Sequence, residues 1–238
     1  MRFKINKNLL NKTALLNRKI SDSNLTYLNF GNGSILDKKN NTIYIKGSGF
    51  DTKLTTYKKI AVCNFSRNYE LIRRNKIKPS VDTLTHVYLY LNLKNVFSII
   101  HTHSKYATIL AQGNVEPECL GTTHADFFSG KIPLSKKISV VDKKNHEIQL
   151  GKAIIDKLKK GYENSPGILL RDHGFYAWGK DYNKALENAI AFETICMFYF
   201  YTKIITKKKF ISKSNHIFHY LRKNEKKNFT GNNYFNTI

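Results

Sequence analysis

The sequence predicts a mixed α/β domain. Three observations point there: short β-branched and aromatic runs bounded by glycine or polar residues, longer stretches with apolar residues at helical spacing, and strands that cluster before helices, with one late strand–helix unit. Residues 5–18 read as an amphipathic helix, and "FGNGS" (30–34) as a Gly/Asn turn. "TIYIK" (42–46) and "KIAVC" (59–63) alternate or run apolar as strands do, separated by the glycine turn "GSG". "DTLTHVYLYLNL" (82–93) fits a helix begun by Asp82 or a neighbouring cap. "NVFSIIHTH" (95–103) is β-branched and aromatic, a buried strand, and "SKYATILAQ" resumes helical character after Ser104. "GILLRDHG" (167–174) reads as a further strand ending at Gly174, and Leu186, Ile190, Met197 and Tyr201 set a helix from about 181 to 202.

Composition narrows the classes. A chain of 238 residues with 41% hydrophobic and 13% aromatic content can bury a core and is not a disordered polymer. No internal repeat and no Pro/Gly/Ser linker divides it, so residues 1–238 are read as one domain. The longest apolar stretch, "AIAFETICMFYFY", is too short for a membrane span and carries Glu193. The basic N-terminus lacks an uninterrupted apolar region and a small-residue cleavage site, so no signal peptide is read. Cys63, Cys119 and Cys196 are widely spaced and form no C-x-x-C pair, which suits reduced thiols in a cytoplasmic setting.

The net charge of +23 invites a nucleic-acid reading. The charge is spread along the whole chain, however, and no helix-turn-helix, zinc-finger or RNA-recognition signature accompanies it. Lys, Asn and Ile are enriched together, as in "KKNNTIYIK" and "KKKFISKSN", the pattern of an AT-rich coding sequence loading solvated surfaces with lysine. Neither a nucleic acid nor a membrane is expected as a partner.

The chemistry concentrates at strand ends. Side chains two apart in a strand point the same way, so His101 and His103 present two imidazoles on one face. An H-x-H pair alone is equally compatible with two polar residues at a strand end. His173, placed similarly in "RDHG", brings the count to three, the number of protein ligands in an open catalytic zinc site, and Asp82 offers an oxygen. "GNGS" (31–34) and "KGSG" (46–49) combine amides, hydroxyls and Lys46, which suits a phosphate monoester as well as an ordinary hairpin turn. "GTTHAD" (121–126) adds the carboxylate Asp126 and His124, or is simply a helix-capping stretch.

The segments "GNGS", "IKGSG", "KPSVDTLTH", "IIHTHSKYATILAQ", "GTTHADFFSGKIP", "HGFYAWGKDYNKALENAI" and "HYLRK" together resemble the class II aldolase/adducin family, and within it the sugar-phosphate 4-epimerases. The resemblance spans residues 30 to about 223. It implies a three-layer α/β/α fold around a mostly antiparallel central sheet. It implies a zinc ion, or Mn²⁺, on His101, His103 and His173, with Asp82 as the nearby metal-site carboxylate. Gly31, Asn32, Ser48, Gly49 and Ser80 fall on segments that hold the substrate phosphate, with Lys46 beside them. Asp126 matches a catalytic acid/base, and Thr122, Glu147 and His219 match positions near it.

The implied reaction interconverts L-ribulose 5-phosphate and D-xylulose 5-phosphate by retro-aldol cleavage and re-addition through an enediolate. The implied assembly is a homotetramer with active sites at subunit boundaries, the C-terminal tail from about 206 reaching a neighbour. A fuculose-phosphate type aldolase, a methylthioribulose-phosphate dehydratase and a non-catalytic adducin-like module share the family. Those aldolases usually carry Glu at the position of Asp82, so Asp82 favours the epimerase, and the three histidines argue against the non-catalytic module. Two positions depart from the epimerase pattern. Thr230 stands where a tyrosine serves as the second acid/base, with Tyr234 four residues on, and Val81 stands where a serine is usual.

Overall fold

A computed structural model describes residues 4–138, 145–207 and 210–224. Among these residues, seven strands form one sheet in the order β4-β3-β2-β1-β5-β7-β6. They are β1 (Asn32–Asp37), β2 (Thr42–Lys46), β3 (Ile60–Phe65), β4 (Leu71–Arg73), β5 (Ser98–Thr102), β6 (Gly167–Leu170) and β7 (Gly174–Gly179). Every neighbouring pair runs antiparallel.

Among the described residues, seven α-helices accompany the sheet. They are α1 (Lys7–Asp22), α2 (Thr83–Asn92), α3 (Lys105–Gln112), α4 (Thr122–Phe127), α5 (His146–Leu158), α6 (Tyr182–Ile205) and α7 (Lys213–Asn224). The alternation of side chains along the strands sorts them into layers. Leu16 and Ile20 of α1, Leu110 of α3 and Phe192 of α6 pack on the face that carries Ile35, Ile100, Phe175 and Ala177. Val87 and Leu89 of α2 and Leu150, Ile154 and Leu158 of α5 cover the other face, with Ile43, Ile45, Ile99, Tyr176 and Trp178. The result is the three-layer α/β/α architecture around an antiparallel sheet.

Several elements differ from the sequence expectation. "FGNGS" is a turn only to Gly31, whose φ is +79°; from Asn32 the chain is already strand β1. That strand opens with buried polar residues, because the Asn17 side chain of α1 pairs with both backbone groups of Gly33 at 2.8 and 3.0 Å. Asn17 thereby substitutes for β2, whose pairing with β1 begins only at Ser34. "GILLRDHG" is not one strand: β6 ends at Leu170, residues 171–173 turn with Asp172 at φ +61°, and Gly174 opens β7. Helix α2 starts beside Asp82, but the Asp82 carboxylate makes no capping bond. Among the described residues, no helix is long and apolar enough to cross a membrane.

Candidate metal centre and active site

Strands β5 and β7 lie side by side between β1 and β6, with Thr102 opposite Phe175. The carboxyl end of β5 and the turn into β7 therefore meet, and this places His101, His103 and His173 together. Their ligand nitrogens lie within 4.8 Å of one another. His101 Nε2 is 3.2 Å from His103 Nε2 and 3.2 Å from His173 Nε2. Nitrogens bound at about 2.05 Å around a tetrahedral ion stand about 3.3 Å apart, so this spacing fits a divalent metal.

The donor chemistry fits as well. His101 is buried, stacks on Tyr176 at 4.4 Å and faces the Phe175 carbonyl with Nδ1 at 3.0 Å. A carbonyl can only accept, so Nδ1 carries the proton and Nε2 offers its lone pair, the orientation found in metal-binding imidazoles. Burial and the neighbouring imidazoles push His103 down to about 4 and His173 down to about 3, leaving both rings neutral at pH 7. Neutral imidazole is the form that takes a metal.

Glycine makes the convergence sterically possible. A Cβ on Gly174 would stand 2.5 Å from the Thr102 carbonyl oxygen and 3.0 Å from the His103 ring, so β7 reaches β5 only because that position is bare. A Cβ on Gly31 would meet the His101 carbonyl at 2.7 Å.

A cavity of about 220 Å³ opens over the three imidazoles. Its other walls are Gly31, Asn32, Lys46, Ser48, Gly49, Ser80, Val81 and Asp82, with Phe30 stacked against His103 at 6.1 Å. Asp82 does not belong to the three-imidazole set. Its Oδ2 accepts hydrogen bonds from Asn32 Nδ2 at 2.6 Å and Ser80 Oγ at 3.0 Å, which hold it at the cavity wall. Burial alone would raise the Asp82 carboxyl; the field of His101 and His86 and those two hydrogen bonds outweigh it, leaving the pKa below the ordinary value.

Lys46 is buried and donates to the Asn29 and Phe50 carbonyls at 3.2 and 2.7 Å, tying together the loops on either side of the cavity. Desolvation lowers its pKa, against the pull of Asp82 and Asp51. The amides of Gly47 and Ser48, offered to a phosphate by the sequence, already serve the Lys59 and Lys78 carbonyls. Among the described residues the Gly49 amide and the Ser48 hydroxyl have no hydrogen-bond partner and Lys46 keeps a third proton, so these residues of the cavity lining retain donors for a ligand.

The remaining candidates do not line this cavity. Glu147 opens α5, and its Oε2 accepts from Thr85 of α2 at 2.7 Å; burial, with Asp82 nearby, raises its carboxyl to about 7. Thr122 is exposed at the start of α4. Asp126 Oδ1 stands 3.4 Å from His219 Nδ1 and 3.5 Å from the Arg222 guanidinium, both on α7. Asp126 lines a different cavity with Asn95, Val96 and Gly179. Ser98 pairs with Gly179 at one end of β5 and Thr102 with Phe175 at the other, so Asp126 and the histidines occupy opposite ends of the same strand pair. The five residue steps from Val96 to His101 span about 16 Å. Helix α7 packs on α4 of its own chain, with the Asn224 side chain donating to the Asp126 carbonyl. Thr230 and Tyr234 lie outside the described residues.

One residue close to the site was not read as functional from sequence. His86 of α2 is fully buried, with Nδ1 2.7 Å from Ser34 Oγ and its ring edge on Tyr176; desolvation drives it down to about 3. It was visible as the last residue of "DTLTH", four after Asp82, and so on the same helix face.

Residues 11–200 match the sequence profile of the class II aldolase and adducin N-terminal domain. The chain belongs to the class II aldolase/adducin family. Solved family structures share its architecture at low identity. An L-fuculose 1-phosphate aldolase superposes with a TM-score of 0.76 at 19% identity, over 92% of this chain and 97% of its own. A sugar-phosphate aldolase from Thermotoga maritima gives 0.67 at 19%, over 85% and 98%, and an aldolase II superfamily protein from Pseudomonas syringae gives 0.74 at 12%, over 92% and 86%. At these identities the likeness is one of fold.

Proposed function

We propose that this family member is a metal-dependent sugar-phosphate enzyme that interconverts L-ribulose 5-phosphate and D-xylulose 5-phosphate by breaking and re-forming a carbon–carbon bond. The observation that carries the reading is a single cavity holding three lone-pair-bearing imidazoles on one wall and Lys46, Ser48 and Gly49 on another. We assign His101, His103 and His173 as the ligands of Zn²⁺, with Mn²⁺ as the alternative ion. The bound ion supplies Lewis-acid polarisation of the ketose carbonyl and stabilises the negative charge that develops as the bond breaks.

The residues of the chain do the rest. The stereocentre to be inverted carries an unactivated hydrogen, so direct deprotonation is unfavourable and retro-aldol cleavage is the accessible route. Lys46, Ser48 and Gly49, with Asn32 and Ser80 beside them, hold the phosphate so that the cleaved aldehyde stays in place while its carbonyl turns over. Asp82 keeps Asn32 and Ser80 aimed at the cavity. Asp126 is assigned the proton transfer at the migrating oxygen. Because it sits at the far end of the sheet from the histidines of its own chain, we assign it to the site of a neighbouring copy, which supports a homotetramer with shared sites. Glu147, Thr122 and His219 are assigned supporting positions around that proton path.

A second reading, an aldolase that releases the two fragments, is favoured by Thr230: threonine is a much weaker proton donor than the phenol an epimerase uses on the second face. The test is an assay of metal-replete protein with L-ribulose 5-phosphate beside a His101→Ala control. Xylulose 5-phosphate above the control supports the epimerase, free glycolaldehyde phosphate supports the aldolase, and neither product above control sinks both.

A further inference from the structure

Glu193 is the one charged residue in the apolar run "AIAFETICMFYFY", and the metal chemistry leaves it unused. It lies half-buried on α6 and spends its carboxylate entirely on the start of α3. Oε2 accepts the Ser104 hydroxyl at 2.6 Å and the Ala107 amide at 2.9 Å, and Oε1 accepts the Tyr106 amide at 2.8 Å. Those two amides are the second and third of α3, the groups a capping side chain ordinarily satisfies. Ser104, at the N-cap position and fully buried, makes no capping bond of its own. Its hydroxyl points to Glu193 instead, so a carboxylate from another helix does the capping, where the helix dipole favours negative charge.

The residue immediately before Ser104 is His103, and the three candidate ligands are not equally anchored. His101 lies within β5 and has the Phe175 carbonyl on Nδ1 and Tyr176 on its ring. His173 is set by the tight turn whose amide returns to Leu170 at 3.0 Å. His103 lies past the end of β5, and among the described residues its Nδ1 has no hydrogen-bond partner. Apart from the other two imidazoles, its ring contacts Phe30 and Gly174, so its aim depends on where the backbone at 103–104 is held.

We propose that Glu193 is a positioning residue for the metal: by fixing Ser104, Tyr106 and Ala107 it fixes the backbone that aims His103. This inference rests on the metal reading of the three histidines but not on any substrate. Glu193→Gln keeps the shape of the side chain while turning an amide NH₂ toward a backbone N–H or a hydroxyl donor, which breaks at least one of the three bonds.

The experiment measures Zn²⁺ affinity by competition with a chromophoric chelator, at a temperature where circular dichroism shows every variant folded. The Co²⁺ ligand-field spectrum serves as a second readout of the ligand set. The expected result is roughly 10- to 100-fold weaker binding and an altered Co²⁺ spectrum for Glu193→Gln, and a smaller loss for Ser104→Ala. Ile195→Val, in the same helix and buried in the core away from residue 104, is the control for general loosening and is expected to bind as wild type. Wild-type affinity in Glu193→Gln, or an equal loss in Ile195→Val, overturns the positioning role and leaves the metal reading standing. A wild-type protein that takes up no divalent ion overturns both, whatever the sugar assays give.

Discussion

The bare position at Gly174 allows the sharpest test of how the site is assembled. In Gly174→Ala the new methyl carbon would stand 2.5 Å from the Thr102 carbonyl oxygen, about 0.7 Å inside ordinary contact. A side-chain rotation cannot relieve this, because the obstructing atom is backbone in β5, held in register by Thr102 opposite Phe175. The second contact, 3.0 Å to the His103 ring, transmits the shift to a ligand. Overpacking against rigid backbone costs roughly 2–3 kcal/mol, which in a chain of this size lowers Tm by roughly 5–10 °C. A His103 displacement of about half an ångström against the 3.2 Å nitrogen spacing should also weaken metal binding by about ten-fold or more. Differential scanning calorimetry of the metal-free protein and a Zn²⁺ titration measure the two effects separately. Gly130→Ala is the control, since a Cβ there meets no atom within 4 Å, and it should stay within about 0.5 kcal/mol of wild type. Wild-type melting and wild-type affinity in Gly174→Ala would refute the claim that close approach of β7 to β5 builds the metal centre.

The other predictions concern the ion, the neighbour, the lysine and a buried carboxyl. Saturating Zn²⁺ at about 100 times its Kd should stabilise the protein by about 2.7 kcal/mol, and His101→Ala should abolish the Tm shift; an equal shift in the variant removes the three-histidine assignment. Asp126→Asn should lose turnover yet bind metal as wild type, and mixed, reassembled Asp126→Asn and His101→Ala chains should regain activity. No recovery in the mixture rules out sites shared between copies. Lys46→Met leaves the Asn29 and Phe50 carbonyls without their buried donor, so urea unfolding should show a loss of about 2 kcal/mol and steady-state kinetics a raised KM for the phosphorylated sugar. Glu147 has a folded-state pKa near 7, above the ordinary glutamate value. The native state then binds the extra proton between those two values, so this group's contribution to stability is present at low pH and is lost as pH rises through 7. Glu147→Gln should therefore gain about 1–2 kcal/mol relative to wild type between pH 5 and 8, after discounting for partial exposure, and a flat difference in urea midpoints across that range contradicts the assignment.

The elements legible in the sequence are those whose pattern is local. β2, β3, β5, α3 and α6 carry their own alternation or helical spacing and fall where that pattern puts them. β1 does not, because Asn32, Gly33 and Ser34 are polar or bare, and their burial in a strand depends on Asn17, sixteen residues upstream of Gly33. β6 and β7 merge into one run by composition, and only the left-handed Asp172 between them breaks it. Helix α5 is absent from the sequence reading although Leu150, Ile154, Ile155 and Leu158, its buried face, lie at helical spacing. Helix α7 is absent as well, since its lysine- and histidine-rich residues bury no side chain and its docking on α4 is polar.

The site divides along the same line. His101 and His103 are a weak pair in sequence because the strand period states only that they share a face; it says nothing of what faces them. The antiparallel turn at 171–173 supplies His173 across the strand gap, and Glu193, remote in sequence, fixes the start of α3 directly after His103. Motif order likewise gives no direction along the sheet. "IHTH" and "GTTHAD" are separated by only some twenty residues, yet the chain between them crosses the full length of β5 in helix α3 and the loop that follows. A carboxylate placed there is remote from the three histidines of its own chain. A catalytic unit built from two copies follows from that geometry if Asp126 acts as proposed, since about 16 Å of sheet exceeds what rotamer changes in one carboxylate side chain can bridge.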